Sequence, residues 1–387
     1  MRCAFAGLLI LLYAQAHAEC DLAAAQAPQD ESCAGAWMDE NLRVNDLLSV
    51  GTHNSYKSAI PDAEMAQLQA RSKRAGIVLD YSHRTLAAQL DDGARQLELD
   101  VYYDPHGGRF ADPLGPRLLG QKLDDAMTAE LAKPGFKVMH IPDFDFRSSC
   151  TRFIGCLQTI KTWSEAHPEH IPILILINAK DDSPLGTSGA AIAKFDAAAF
   201  DALDAEVAAV FADEKLITPD QVQGKHATLR EAVLAGGWPK LRDARGRVFF
   251  ALDEAPDKVA MYRAKRQSLE GRRMFVNIEE SSSAAAYITL NEPLQQAERI
   301  RAAVEAGFIV RTRADADTLE AREGKTERRE AAFASGAQYV STDYMQADPR
   351  FPGYTARLRG GVTTVCNPLR TQKKCGGRVV KQMPRER

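Results

Sequence analysis

Short apolar segments rich in β-branched residues recur along the chain, separated by longer segments with helical periodicity. Eight of them predict strands, at residues 46–51, 95–103, 136–141, 171–177, 247–253, 274–279, 308–313 and 337–342. Apolar residues three to four positions apart predict amphipathic helices between them, as at residues 151–167, 194–215, 293–307 and 327–336. This alternation predicts an α/β fold of the (β/α)8 TIM barrel type, with a closed parallel sheet.

No internal repeat or linker divides this pattern, so we expect a single catalytic barrel over residues 43–350. The segments 57–94 and 181–246 are interpreted as elaborations of the barrel. Residues 19–42 form an N-terminal extension in this interpretation, and residues 351–387 form a basic C-terminal extension with a disulfide loop.

The first residues resemble an export signal. Arg2 precedes the apolar run 5–13, and Ala16 and Ala18 are small residues at the positions that a signal peptidase favours. Residues 1–18 therefore predict a signal peptide and a secreted protein, with the periplasm as the alternative location. No later segment reaches the roughly 20 apolar residues of a transmembrane helix.

Cysteine spacing agrees with export. The six cysteines after the signal form three pairs close in sequence, namely Cys20/Cys33, Cys150/Cys156 and Cys366/Cys375. Local disulfide loops are the expected outcome, although six cysteines allow fifteen connectivities. A metal site is the weaker alternative, because no CxxC spacing occurs.

Charge excludes one class of partner. The net charge is −3 and no basic stripe crosses the body of the chain, so we expect no nucleic-acid partner. Residues 367–387 carry seven Lys or Arg and one acidic residue, which indicates either a solvated tail or a weak contact with anionic lipid. We expect a monomer.

Polar residues cluster where the predicted strands end. They are His53, Asn54, Glu98, Asp100, His140, Asn178, Lys180, Asp253, Asn277, Glu279, Arg311, Arg313 and Asp343. Carboxyl ends of barrel strands converge on one mouth. Burying so many polar groups for structure alone is costly, so we expect an active site there.

Two histidines suit general acid–base chemistry near neutral pH. His53 and His140 end the first and third predicted strands, which makes them a catalytic pair in this interpretation. A single histidine is more often structural, as we expect for His83, His106, His167, His170 and His226.

Hard oxygen donors share the same mouth. The expected metal ligands are Asn54, Glu98, Asp100 and Asn178. Such donors suit Ca²⁺, with Mg²⁺ as the weaker alternative, and do not suit zinc. The alternative to a metal site is structural, with Glu98 and Asp100 forming salt bridges to Arg311 or Arg313. Two histidines with a hard cation indicate phosphodiester cleavage.

Several motifs in the same order carry a family resemblance. They are "GTHNSY", "QLELDVYYDP", "KVMHIPDFDFRSSC", "HIPILILINAKDD", "GGWPKLRDARGRVFFALDE", "VRTRADADTLEAR" and "ASGAQYVSTDY". Together, over about residues 43–350, they resemble the secreted, calcium-dependent phosphatidylinositol-specific phospholipase C family of bacteria.

The resemblance implies roles by position. His53 and His140 match the catalytic histidines, and Asn54, Glu98 and Asp100 match calcium ligands. The implied substrate is a phospholipid, met transiently at a membrane surface. The inositol 2-hydroxyl attacks the phosphorus, diacylglycerol leaves and a cyclic inositol phosphate forms. His53 would protonate the leaving oxygen and His140 would assist, although the sequence leaves this assignment open.

Relatives of this family include the catalytic barrel of eukaryotic phosphoinositide phospholipases. Two departures from these eukaryotic relatives bear on the metal ligands and on the substrate. Asn178 stands where those relatives have a glutamate ligand, with Asp181 and Asp182 just beyond it. The fifth strand ends in the acidic "ALDE" instead of a cationic pair, which favours unphosphorylated phosphatidylinositol. Lys180, Arg311 and Arg313 are candidates for substrate contacts.

Two other classes of function remain as alternatives. A glycerophosphodiester phosphodiesterase would share the barrel, the acidic pair and the histidines, but would have "HRG" where this chain has "THNS". A non-catalytic binding module would have lost the chemistry, against which the retained histidines and ligands argue.

Overall fold

A computed structural model describes residue 22 and residues 31–183, 191–371 and 375–381. The expected signal peptide lies outside these residues. The strands in this part are β1 (Leu47–Thr52), β2 (Gln96–Tyr102), β3 (Lys137–Val138), β4 (Ile173–Lys180), β5 (Val248–Leu252), β6 (Met274–Val276), β7 (Tyr287–Thr289), β8 (Ile309–Arg313), β9 (Tyr339–Thr342) and β10 (Thr364–Cys366).

Eight parallel strands follow one another in chain order around a ring. One sheet has the order β10-β1-β9-β8-β7 and the other β3-β2-β4-β5-β6. A hydrogen bond of 2.9 Å from Arg95 N to Val50 O joins them at one seam, and a parallel bridge between Asn277 and Tyr287 joins them at the other. The α/β fold of TIM-barrel type is therefore confirmed.

β2 shows why the sequence forms such a ring. Leu97 and Leu99 pack in the main apolar core, while Glu98 and Asp100 alternate with them and are also buried. Burial on both faces is typical of parallel strands. Glu98 pairs with Arg311 of β8, which lies across the ring, so this second face points into the barrel.

The predicted strand at residues 136–141 is wrong as a member of the barrel. Only Lys137 and Val138 are extended, and they pair antiparallel with the end of β2. The chain then turns back on itself, since Ile141 and Asp145 pair with each other. The apolar character of this segment reflects burial of a loop. The eighth parallel strand is instead β7, whose three residues are too short for a periodic signal.

The helices fill the connections. They are α1 (Glu31–Asn41), α2 (Asp62–Arg71), α3 (Lys73–Val78), α4 (Leu86–Asp91), α5 (Leu114–Leu118), α6 (Asp125–Ala132), α7 (Phe153–Ala166), α8 (Ala197–Val210), α9 (Pro219–Gln223), α10 (Leu229–Leu234), α11 (Leu241–Ala244), α12 (Pro256–Arg263), α13 (Ala297–Ala306), α14 (Leu319–Glu323), α15 (Glu327–Ala334) and α16 (Pro368–Thr371). The four predicted helices are confirmed as α7, α8, α13 and α15. In α7, Phe153, Cys156, Leu157 and Ile160 form the buried stripe that helical periodicity requires.

Two of the expected disulfides are present. Cys150–Cys156 ties the loop before α7 to its first turn, and Cys366–Cys375 closes a loop after β10. Cys20 of the third expected pair lies outside the described residues. Among the described helices, none is long and apolar enough to cross a bilayer.

Gly51 allows the close approach of β1 to β2. A Cβ at this position would lie 2.6 Å from the carbonyl oxygen of Gln96. We expect Gly51→Ala to lower the free energy of unfolding by about 1–3 kcal/mol, since overpacking of this order forces backbone shifts. Denaturant unfolding followed by circular dichroism measures it.

Gly155 provides the matched control. It lies inside α7 and a Cβ there would meet nothing within 4 Å. Gly155→Ala should leave stability unchanged or raise it by up to about 1 kcal/mol, because alanine loses less backbone entropy in a helix. Equal stability of the two variants would contradict the close packing at this seam.

Candidate active site

His53 lies in a tight turn directly after β1. The turn is held against β2, because Ser55 N donates to Glu98 O at 3.0 Å and Glu98 N donates to Ser55 Oγ at 2.8 Å. Asn54 has a φ of 46°, a conformation that asparagine adopts more readily than most residues. The residues of "THNS" therefore form a turn that presents His53 at the carboxyl edge of the ring.

The imidazole of His53 lies between a carboxylate and a guanidinium. Its Nδ1 is 2.8 Å from Asp343 Oδ1 and its Nε2 is 3.3 Å from Arg313 Nη1. A carboxylate only accepts and a guanidinium only donates, so Nδ1 carries the proton and Nε2 accepts. Burial, followed by the charge of Arg313, holds the pKa of His53 well below its ordinary value, which agrees with a neutral ring.

His140 lies in the loop that follows β3. Its Nδ1 is 2.8 Å from Asp145 Oδ2, and the other oxygen of Asp145 is 3.0 Å from Lys57 Nζ. Burial by itself would raise the pKa of Asp145. The charge of Lys57 and the hydrogen bond of His140 outweigh it and hold that pKa below its ordinary value, so the carboxylate stays ionised.

The two histidines thus share one feature, a hydrogen bond from Nδ1 to a buried carboxylate, while Nε2 of His53 contacts Arg313. Sequence reasoning noted Asp343 only as a polar strand end and missed Asp145 altogether. It also missed Tyr81, whose hydroxyl lies 3.4 Å from His53 Nδ1. Asp145 follows His140 by five residues, and this short spacing is the one feature of the sequence that could have indicated their contact. No comparable feature connects Tyr81 with His53.

Both carboxylate oxygens of Glu98 accept hydrogen bonds from neighbouring side chains. Oε2 accepts from Arg311 at 2.6 Å and Oε1 accepts from Asn178 Nδ2 at 3.0 Å. Arg311 is itself buried and also donates to Asn291, so in this structure its guanidinium contacts Glu98 and Asn291. Glu98 thus forms the salt bridge that the sequence analysis gave as the structural alternative, and it would bind a metal only by releasing one of these donors.

Asp100 differs from Glu98. Both of its carboxylate oxygens are buried and have no hydrogen-bond partner among the described residues. Lys180 Nζ lies 3.4 Å from Oδ2, and the charge of Asp100 raises the pKa of Lys180. The Lys180 side chain is one-third exposed, so it can move aside for another cation. A buried carboxylate that accepts no hydrogen bond and has only a partly exposed lysine beside it is costly and is well suited to a metal ion.

The two amides complete a set of oxygen donors. Asn54 Nδ2 donates to the Tyr81 hydroxyl at 2.8 Å, which leaves its carbonyl oxygen available. Asn178 lies directly beside Asp100 in the register of β2 and β4. Rotation of its amide by a half turn would put its oxygen beside Glu98 Oε1, an arrangement of two acceptors that a cation between them would stabilise.

The donors therefore fit Ca²⁺, which prefers carboxylate and amide oxygens. No cluster of three or more His, Cys, Asp or Glu that could hold a metal occurs among the described residues. The set here has only two such residues, with two amides beside them. Asp181 and Asp182 are the alternative ligands to Asn178, and Asp181 is paired with Lys258 at 3.0 Å.

The remaining expected substrate contact is Arg313. It donates to Asp343 Oδ2 at 3.0 Å and approaches His53, so it lies within the site next to a catalytic candidate. The site residues from β1, β2, β4, β8 and the two loops thus meet at one mouth.

The family described as phosphoinositide phospholipase C, Ca²⁺-dependent, matches residues 42–368. This span contains every residue of the site. The chain belongs to that family. Its members are phosphodiesterases that depend on calcium, so the match supports an enzyme and the choice of metal.

Solved structures agree on the fold of this phospholipase C family. A calcium-dependent phosphoinositol-specific phospholipase C from Pseudomonas sp., in its myoinositol complex, is 18% identical with a TM-score of 0.53, over 86% of this chain and 99% of that one. A Ca²⁺-dependent enzyme from Streptomyces antibioticus is 18% identical with a TM-score of 0.50, over 78% and 95%. No curated protein matches the chain.

Asn178→Glu should tighten calcium binding about tenfold or more, equivalent to about 1.4 kcal/mol. It adds a full negative charge beside Glu98 and Asp100, and affinity in oxygen sites follows the charge of the ligands. Calorimetric titration with Ca²⁺ alone measures the change without an activity assay.

Two further variants make this calcium test specific. Asn178→Gln has the length of glutamate without its charge and should not tighten binding, whereas Asp100→Asn should weaken it. An unchanged affinity in Asn178→Glu would place residue 178 outside the metal's ligand shell.

Proposed function

We propose that this chain is a secreted, calcium-dependent phospholipase C that cleaves phosphatidylinositol to diacylglycerol and a cyclic inositol phosphate. The observation that carries the proposal is the pair of histidines, each oriented by its own buried carboxylate, beside Glu98 and Asp100. Export is supported by the two disulfides and by residues 1–18 of the sequence.

In the proposed reaction the 2-hydroxyl oxygen of inositol forms a bond to phosphorus and the bond to the diacylglycerol oxygen breaks. One histidine takes the hydroxyl proton and the other gives a proton to the leaving oxygen. Nε2 is the atom that acts on each ring, because Nδ1 is hydrogen-bonded to a carboxylate. Water can open the cyclic product in a second step.

Geometry supports His53 as the proton acceptor. Asp343 holds the ring proton on Nδ1, so Nε2 carries the lone pair, and Arg313 would release Nε2 when the inositol hydroxyl takes its place. His140 would then protonate the leaving oxygen, which reverses the assignment implied by the family resemblance. Asn54, Glu98, Asp100 and Asn178 would hold Ca²⁺, which when bound supplies positive charge for the phosphoryl oxygens.

The end of β5 supports an inositol ring without further phosphates. Asp253 and Glu254 follow this strand, and burial raises the pKa of both carboxyl groups. Glu254 is paired with Lys258 at 3.2 Å, so this cation is already neutralised. The substrate would be met at a membrane surface, with the protein as a transient, peripheral partner.

His53→Ala and His140→Ala should each lower turnover of phosphatidylinositol by roughly 10²–10⁴-fold, the usual cost of losing a positioned acid or base. An aryl inositol phosphate separates the roles, since its leaving group needs no proton. His140→Ala should recover much of its activity on that substrate, and His53→Ala should not.

Phosphorus NMR of the products is the accompanying measurement. Phosphatidylinositol vesicles should give cyclic inositol phosphate with calcium and none after chelation. Cleavage of glycerophosphoinositol in preference to the lipid would instead support a glycerophosphodiester phosphodiesterase. Near-normal turnover in either histidine variant would remove that residue from the mechanism.

A further inference from the structure

Lys57 is a fully buried lysine that the proposed chemistry does not use. Its ammonium nitrogen is 3.0 Å from Asp145 Oδ1, donates to the Tyr81 carbonyl at 2.8 Å and lies 4.7 Å from the centre of the Tyr81 ring. A buried charge is retained only where such partners compensate its lost hydration. Of these partners, Asp145 contacts His140 and Tyr81 contacts His53.

One branch runs from Lys57 to His140. Asp145 is fully buried and uses one oxygen for Lys57 and the other for His140 Nδ1. Without the lysine, Asp145 would be a buried carboxylate whose one remaining partner in this network is the His140 ring. The lysine therefore helps to keep Asp145 ionised and the imidazole in one orientation.

The other branch runs from Lys57 through Tyr81 to His53. The Tyr81 hydroxyl contacts His53 Nδ1 at 3.4 Å and Asn54 Nδ2 at 2.8 Å, and its ring stacks near the imidazole with centroids 6.3 Å apart. The ammonium group holds Tyr81 by its carbonyl and by its ring face.

The backbone around Lys57 joins the same loops. Ser58 N donates to Arg147 O at 3.2 Å, and Ser149 N donates to Tyr56 O at 2.8 Å. The turn carrying His53 and the loop carrying His140 are thereby paired with each other. This pairing is needed because His140 does not follow a parallel strand of the barrel.

We propose that Lys57 is a positioning residue that orients both histidines, His140 through Asp145 and His53 through Tyr81. Only the expected effect of Lys57 on turnover rests on the proposed function. The hydrogen bond between His140 and Asp145 can be observed without any substrate.

The test is Lys57→Met, which keeps the length of the side chain and removes its charge. It should lower kcat for phosphatidylinositol by about 10–100-fold, the usual effect of losing a partner that orients a functional side chain, and change KM by less than about twofold. In the wild type we expect a downfield proton NMR signal from the His140 Nδ1–H, because it is hydrogen-bonded to the buried Asp145. Lys57→Met should abolish that signal.

Lys137→Met is the matched control. Lys137 is equally buried, is paired with Asp104 at 3.2 Å and lies three residues before His140, but it contacts neither histidine. We expect a similar loss of stability with kcat per folded molecule and the imidazole signal unchanged. If Lys57→Met does not fold, Lys57→Gln, which keeps an N–H donor for the Tyr81 carbonyl, takes its place.

The outcomes are separable. A wild-type kcat in folded Lys57→Met, or a loss of kcat no larger than that of Lys137→Met, overturns the positioning role. Loss of the imidazole signal in Lys57→Met together with full activity of His140→Ala would support the positioning of the ring and refute the proposed function.

Discussion

Buried carboxylates at the mouth of the barrel impose the constraint on which the rest of the site depends. An ionised carboxylate out of water needs a cation or several donors, or it becomes protonated. Glu98 has Arg311, Asp145 has Lys57, and Asp343 has Arg313. Asp100 has only a partly exposed lysine 3.4 Å away, so it is the carboxylate with capacity for a metal.

The buried carboxylates, held ionised by these cations, also orient the two histidines. Because Asp343 and Asp145 each accept from Nδ1 of a histidine, this nitrogen is fixed in both rings, and in His53 Arg313 contacts the other nitrogen. Carboxylates that orient an imidazole in this way stabilise one tautomer and resist rotation of the ring. The cations beside the carboxylates therefore influence the histidines indirectly, through those carboxylates. The charged groups at the mouth are thus coupled to one another.

The strand scaffold and the loops contribute differently to these coupled groups. β2, β4 and β8 place Glu98, Asp100, Asn178 and Arg311 by side-chain alternation in a rigid sheet. The histidines lie on turns, and their positions depend on hydrogen bonds between segments far apart in sequence. Such bonds require the assembled barrel, because neither loop has a regular repeat of its own.

The sequence by itself determined the alternation of strands and helices, the family, two local disulfides and the acidic pair of β2, since each depends on local periodicity or on motifs. It failed for residues 136–141, where burial of a loop has the same apolar pattern as a strand, and for β7, which is too short to show a period. Only the tertiary structure decided that Glu98 is paired with Arg311 and Asp100 with Lys180, and that Lys57 contacts both Asp145 and Tyr81, which in turn contact the histidines. These facts depend on contacts across the barrel, which no local pattern in the chain encodes.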